Sequence, residues 1–224
     1  MSKDRVVVFG TGLFAEVADF YFTHDSNYEV VAFTATQPAI DKLGQSTLLE
    51  KPILPFEKIT DFCSPKTHSM FIAVGYSKRN TIREKFYYQA GDKGYYLISY
   101  VSSKATIWPG FSCGANCFIL EDNTIQPYVH IGNNTILWSG NHIGHHADVG
   151  NHCFISSHVV VSGSCTIDNN CFIGVNATLR DGITIGRHTI IGAGALIMKD
   201  TEPYGLYIGE GTKADYRSSN EINF

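Results

Sequence analysis

The chain has 224 residues, 44% hydrophobic and 17% charged, with a formal net charge of −4. That length allows one large or two small domains, and the acidic balance argues against a nucleic-acid partner. No apolar run reaches the roughly 18 residues that suggest a membrane-spanning helix, and Met1-Ser2-Lys3-Asp4 leads into a strand without the layout of a signal peptide. A cytoplasmic protein is expected.

Arg5–Phe9 is a short β-branched run that ends at Gly10-Thr11-Gly12. Leu13–His24 follows, with Leu13, Val17, Phe20 and Tyr21 at helical spacing. Glu29–Thr34 is a second strand. Residues 35–68 carry Pro38, Pro52, Pro55 and Pro65 as breakers, so loops and a short helix near Phe56–Phe62 are expected. Ser69–Val74 is a third strand ending at Gly75-Tyr76, Arg79–Ala90 a helix and Tyr95–Tyr100 a last strand. Residues 1–100 therefore read as a small, Rossmann-like parallel α/β domain. Gly10-Thr11-Gly12-Leu13-Phe14-Ala15 is a GxGxxA turn, which brings backbone N–H groups and a helix N-terminus to a phosphate. A dinucleotide site also wants an acid about 20 residues on. That place is Thr34-Ala35-Thr36, so a hydride-transferring NAD enzyme is the least favoured reading. Gly75-Tyr76 lies on the same sheet edge, where ligands of open α/β sheets sit.

From Val101 the chain reads in sixes. Val101, Ile107, Cys113, Ile119, Ile125, Ile131, Leu137, Ile143, Val149, Ile155, Val161, Ile167, Ile173, Leu179, Ile185, Ile191 and Ile197 hold the first position, and all but Cys113 are Val, Ile or Leu. An amphipathic helix repeats every 3–4 residues, so a period of six points to a parallel β-solenoid. Three hexads make one triangular coil, with residues 18 apart stacked. The second position is often Gly (Gly114, Gly132, Gly144, Gly150, Gly174, Gly186, Gly192), as a corner with permissive backbone angles would need. The fifth is mostly small, as in Cys117, Ala147, Cys153, Cys165, Cys171, Ala177 and Ala195. The cysteines therefore read as core residues of a reduced protein. After Ile197 the register stops, and residues 199–224 are expected to form a tail or cap over the last coil, with the α/β domain capping the other end.

Among the histidines, His146, His152, His158 and His188 hold the fourth corner position, His130 and His142 the sixth, and His145 alone the third. None has the spacing of a metal set, and no metal is expected.

The hexads resemble the left-handed β-helix of the hexapeptide-repeat acyltransferases. A small α/β domain followed by hexads is similar to the nucleotide-sugar acyltransferases of bacterial glycan synthesis, of the bacillosamine N-acetyltransferase and sialic-acid O-acetyltransferase type. Asn141-His142-Ile143-Gly144-His145-His146-Ala147-Asp148-Val149-Gly150 falls on that family's catalytic coil. The resemblance implies an N-terminal Rossmann-like domain (1–100), a left-handed β-helix (101–198) and a homotrimer with sites in the grooves between neighbouring helices. It implies an acyl-CoA co-substrate, acetyl-CoA in the first instance, and a sugar substrate. His145 takes the place of the general base, with His146 beside it in the catalytic pair. Gly10, Thr11, Gly12, Leu13, Phe14, Thr34, Gly75 and Tyr76 are expected to hold the nucleotide sugar. Phe154, Gly163, Val175 and Ala193 are expected along CoA, Gly163 as an oxyanion donor.

The departures are specific. The acid that often follows the base is His146, so a backbone carbonyl or Asp148 is expected to orient the ring. The family's cofactor-contacting histidine is Phe154, its loop histidine is Phe14, and the acidic pair after the second strand is missing. The tail motif appears as Gly209-Glu210-Gly211-Thr212-Lys213. The leading reading is an acyltransferase acting on an amino or hydroxyl group of a nucleotide-linked sugar. Alternatives are the same fold with a non-nucleotide sugar, or a catalytically silent ligand-binding trimer.

Overall fold

The computed structural model describes residues 3–211. β1 (Asp4–Phe9), α1 (Leu13–His24), β2 (Tyr28–Ala35), α2 (Gln37–Leu43), β3 (Thr47–Leu48), β4 (Lys51–Pro55), α3 (Ile59–Phe62), β5 (Ser69–Ile72) and α4 (Thr81–Asp92) precede the solenoid. The sheet order is β3-β4-β2-β1-β5. All neighbours are parallel except the short β3 edge. One sheet face buries Val6, Val8 and Phe33 against α1 residues Ala15, Ala18 and Phe22. The other buries Val7, Phe9 and Met70 beneath Ile59 and Ala90 of α3 and α4.

Three expectations for this domain are corrected. Residues 35–68 are not mainly loop, because Pro38 sits in the first turn of α2, where a missing N–H costs nothing, and Gly44 ends that helix in a left-handed conformation (φ 67°). Tyr95–Tyr100 is not one strand: Leu97 bridges to Met70, while Tyr100–Val101 pairs with Phe118–Ile119 as the first rung of the solenoid. The last helix starts at Thr81 because Lys78, Arg79 and Asn80 all take positive φ (51°, 53° and 65°).

From Tyr100 onward, two-residue strands stack in three parallel sheets. Partners lie 18 apart throughout the hexads, as in Phe118↔Ile136↔Phe154↔Phe172. The first-position residues and the small fifth-position ones form one buried core. Burying each such Ile or Leu contributes about 1.5–3 kcal/mol. The three faces differ in what they turn outward. A docked face shows Phe118, Ile136, Phe154 and Phe172; an open face shows Thr124, His142, Val160, Thr178 and Leu196; a polar face shows His130, Asp148, Thr166 and Thr184.

The second-position glycines have ordinary φ, so the reason expected for them is wrong. A Cβ there would fall 2.5 Å from Gly163 N at Gly144 and 2.6 Å from Ala193 N at Gly174: the coil above leaves no room. Positive φ belongs instead to the fourth position, at Asn134, His146, His152, His158 and Asn170. Asn and His are among the residues that tolerate it.

The α/β domain does not cap the prism's end. It lies along the docked face, where Phe118, Ile136 and Phe154 join the cluster of β1 and α1. α4 rests on the edge between the docked and polar faces. There Arg83, 0% exposed, donates from Nε and Nη2 to Asn134 O (3.3 and 3.1 Å) and from Nη2 to His152 O and Cys153 O (3.2 and 2.9 Å). From Nη1 it donates to Val74 O, Gly75 O and Asn80 Oδ1 (3.3, 3.2 and 3.1 Å). Burial lowers its pKa to about 10, which leaves it charged at neutral pH. Beside it His152 stacks between Asn134, whose Nδ2 is 2.8 Å from its Nδ1, and Tyr88, whose hydroxyl is 3.3 Å from its Nε2. Burial lowers the His152 pKa to about 4, against the pull of Glu84.

Residues 199–211 lie over the last coil, where Tyr207 packs against the solenoid core. Thr201 bridges Ile185, and Leu206–Tyr207 pairs with Ile190–Ile191, so the chain adds one further, shorter turn. The rest of the expected tail, with Thr212 and Lys213, lies outside the described residues.

Replacing Arg83 by Met should leave these acceptors unpaired and cost about 3–5 kcal/mol in denaturant unfolding; a loss below about 1 kcal/mol would contradict the staple. His152 gives a second outcome. An unfolded histidine titrates near about 6.5, so stability is complete above that pH and is lost as pH falls toward 4, where the unfolded chain binds the proton first. His152→Asn should flatten that stretch of the stability profile.

Candidate functional site

The expected base sits on the edge between the open and polar faces. His145 is exposed at the third position of its corner, and its N–H donates to Gln126 Oε1 at 2.8 Å. Its carbonyl accepts from Ser164 N at 2.8 Å, so the coils on both sides fix its backbone. Its ring lies against Gly163: a Cβ there would meet the ring's Cε1 at 2.7 Å and Nε2 at 2.8 Å. Its Nδ1 is 3.2 Å from Nδ1 of His146. The residue expected to orient the ring is therefore corrected. Asp148 is bonded instead to His130, Nδ1 to Oδ1, at 2.8 Å, and the partner of His145 is its chain neighbour. His146 has φ 59° and lies on Tyr128, with ring centroids 4.7 Å apart.

On the two coils below, Gln126 and Tyr128, then Trp108 and Phe111, line a cleft of about 370 Å³. Sequence reasoning missed this neighbourhood, although Trp108 stands where the second-position glycine is common and Tyr128 holds a fourth-position corner.

The residues expected along CoA do not gather in one place. Gly163 is beside His145. Val175 and Ala193 are exposed on a different edge, between the docked and open faces, above Ser157. Gly194 N donates to Val175 O (2.8 Å) and Asn176 N to Ser157 O (3.1 Å), which confirms their stacking. Six residues of chain, up to about 20 Å, separate successive edges. Phe154 is corrected: it is 4% exposed, packed on Tyr76 (5.0 Å) and Phe172 (5.8 Å) in the seam between the domains, and has no free face for a cofactor.

In the α/β domain, Gly10 is needed for both its φ of 137° and its contact, since a Cβ would lie 2.6 Å from Ala73 O. This closes the end of β1 on the end of β5 and brings Gly10-Thr11-Gly12 beside Gly75-Tyr76. Leu13 is fully on the surface at 79% exposure, and the first N–H groups of α1 have no intrahelical acceptor. One expected ligand residue is corrected. Thr34 is buried, with Oγ1 donating to Leu54 O at 2.8 Å. Phe14 packs edge-on against Phe118 and Trp138 (5.5 and 5.7 Å), anchoring the domain to the prism. Tyr76 is the exposed aromatic of the crevice, resting on Phe154 and Phe172 (5.0 and 4.8 Å).

Residues 128–163 and 164–199 match the family described as bacterial transferase hexapeptide (six repeats). The fold is similar over most of the chain to that of PerB from Caulobacter crescentus, solved with CoA and GDP-perosamine: 25% identity, 91% of this chain and 93% of that one, TM-score 0.70. Residues 128–199 thus carry the hexapeptide repeats of bacterial transferases, and the fold is that of hexapeptide-repeat sugar acetyltransferases. A mutant of perosamine N-acetyltransferase from the same organism, with a histidine replaced by asparagine, gives 24% identity, the same coverage and a TM-score of 0.81. The acetyltransferase domain of PglB from Neisseria gonorrhoeae FA1090 gives 20% identity, 92% and 97% coverage and a TM-score of 0.66. A comparison of the sequence with curated proteins gives no match. The parallel sheets and the repeats of this chain fit a left-handed β-helix.

Gly163→Ala should push the His145 ring aside with little change in thermal stability, read as a shift of the His145 imidazole resonances. Unchanged resonances would mean that the ring does not rest on Gly163.

Proposed function

We propose that the chain transfers an acetyl group from acetyl-CoA to an amino group of a nucleotide-linked sugar, with His145 as general base. The observation that carries this is His145, exposed on a prism edge, with its backbone held by Gln126 and its ring set between Gly163 and His146. The likeness to enzymes solved with CoA and GDP-perosamine supports the substrate classes. That one of them was studied as histidine-to-asparagine and histidine-to-alanine mutants supports a histidine at the centre.

The amine attacks the thioester carbon with its own lone pair. The C–N bond forms, His145 Nε2 removes a proton from the cationic adduct, and the C–S bond breaks as CoA leaves as a thiolate that takes the proton up. General-base help of this kind contributes about 10²–10⁴-fold. A hydroxyl would need its proton removed as it attacks, which asks for a stronger base than two imidazoles without a carboxylate. That difference supports N-acylation over O-acylation. The Gly163 N–H, without a hydrogen bond among the described residues, suits the developing oxyanion.

The split of the expected residues over two edges supports a site built between copies. The His145 edge of one subunit would face the Ser157–Val175–Ala193 edge of the next, as a cyclic trimer arranges. The strand order, the α1 crossover and the glycine turn support the Rossmann-like reading of the first domain, with the sugar nucleotide at Thr11, Gly12, Gly75 and Tyr76. Because Thr34 is committed to packing and the acidic pair after β2 is missing, a sugar without a nucleotide stands as the second reading. Among the described residues no helix is long and apolar enough to cross a membrane.

Incubation with acetyl-CoA and a panel of UDP-, GDP- and dTDP-linked amino sugars should release CoA thiol with one of them. His145→Ala should reduce that release at least about 100-fold, and full activity in this variant would remove His145 from the mechanism. Ala193→Trp should abolish CoA use. Mixing the two variants as dissociated and reassembled chains should then restore about a quarter of the activity, because intact sites recur where the two good edges meet. No restoration would place both edges in one subunit's site.

A further inference from the structure

We propose that His146 sets the tautomer of His145, and that the two rings form a carboxylate-free pair that serves as a base only while both are neutral. The base role rests on the function proposed above; the tautomer does not.

With the two Nδ1 atoms 3.2 Å apart, one nitrogen must carry a proton and the other a lone pair. If His146 donates, His145 carries its proton on Nε2 and has no lone pair to offer a substrate. If His145 donates, its Nε2 is free. Only the second arrangement supports base chemistry, and taking a proton at Nε2 leaves its Nδ1–H bond to His146 intact.

The surroundings hold this geometry without adding charge. His146 is fixed by its left-handed corner, by its N–H donating to Pro127 O at 3.2 Å, and by Tyr128 beneath its ring. His145 is fixed by Gln126 below and Gly163 above. The groups facing the pair from the coils on either side are Gln126, Pro127, Tyr128, Ser162, Gly163 and Ser164, of which only Tyr128 titrates. Asp148, the nearest carboxylate in the chain, is engaged by His130.

A pH consequence follows from the geometry. A proton on His145 occupies Nε2. A proton on His146 sets N–H against N–H and turns His145 to the other tautomer. Either one disables the base, so the acid limb of activity belongs to the pair and not to one residue. A carboxylate at position 146 would accept the same bond but favour the charged form of His145, moving the limb to higher pH.

The first measurement is the imidazole ¹⁵N spectrum of the intact protein without substrate, above the acid limb. His145 should show a protonated Nδ1 and an unprotonated Nε2. His146→Phe keeps a ring over Tyr128 but removes the acceptor, and should return His145 to the Nε2–H form. With the substrate found in the panel, the same variant should lose about 10–100-fold in kcat at unchanged KM for acetyl-CoA. His146→Glu should restore kcat and shift the acid limb upward. An Nε2–H tautomer for His145 in the unaltered protein would overturn the proposal, as would a His146→Phe variant with unchanged kcat and pH profile. If no amino sugar is turned over, the function proposed above fails while the spectrum still decides the tautomer.

Discussion

Each coil of the prism is held by the coils on either side, and nearly every other feature depends on that constraint. Strand partners stay 18 residues apart from Tyr100 to Ile197, which keeps the first-position side chains stacked in one core. The corners obey the same rule. A glycine at the second position lets the next backbone approach, and a left-handed residue at the fourth lets the chain turn. What remains free is the third position, which projects from the edge at a height fixed by the strand spacing of about 4.8 Å. His145, Gly163, Val175 and Ala193 all stand there. The contact between His145 and Gly163 is thus a consequence of the ladder, and a group placed this way needs little further support to stay oriented.

The second constraint is the docking of the α/β domain on one face. A buried guanidinium with no ion pair among the described residues is costly unless its donors are used. Arg83 meets that condition by taking carbonyls from the β5 loop and from two successive coils. Because Gly75 O is one of them, the staple also fixes the loop that carries Tyr76. The crevice between the glycine turn and that loop is therefore tied to the prism at a definite height, beside Trp138 and Phe154.

The solenoid was legible because its period is a property of single residues: a branched side chain at every sixth place has no other explanation. α1 was legible for a similar reason, with a glycine turn before it and apolar spacing within it. α2 and β4 were hidden by Pro38, Pro52 and Pro55, which read as breakers but occupy a first helical turn and the two ends of a short strand. The docking was missed although a signal existed. Phe118, Ile136, Phe154 and Phe172 make an apolar column at outward positions 18 apart, where the other two faces show Thr, His and Asp. A residue matched to a family position by spacing, such as Phe154, was therefore assigned to a cofactor when it belongs to a seam. Arg83 gave no signal, since a lone arginine on an amphipathic helix ordinarily faces water. His146 was placed beside the base from the sequence, but the approach of its Nδ1 to that of His145 was hidden, because it depends on side-chain torsions that no spacing specifies.

The prism has three edges, and their uses constrain where chemistry can occur. The edge between the docked and polar faces is covered by α4, with Asn134, His152 and Asn170 against Asn80, Arg83, Glu84 and Tyr88. The two others flank the open face, where Val160 and Leu196 are exposed, with Val175 beside one edge and Met198 beside the other. An assembly that joins one free edge to its neighbour's other free edge uses both and turns the open face toward the common axis. It also brings His145 to the stacked small residues Ser157 and Ala193, which its own subunit holds one face away. In that arrangement the pair of imidazoles would meet the substrate in a groove and not on an open corner. Loss of water there raises the cost of an unshared proton between two rings. The neutral pair argued for His145 and His146 is the state such a groove favours, because it satisfies both Nδ1 atoms without burying a charge.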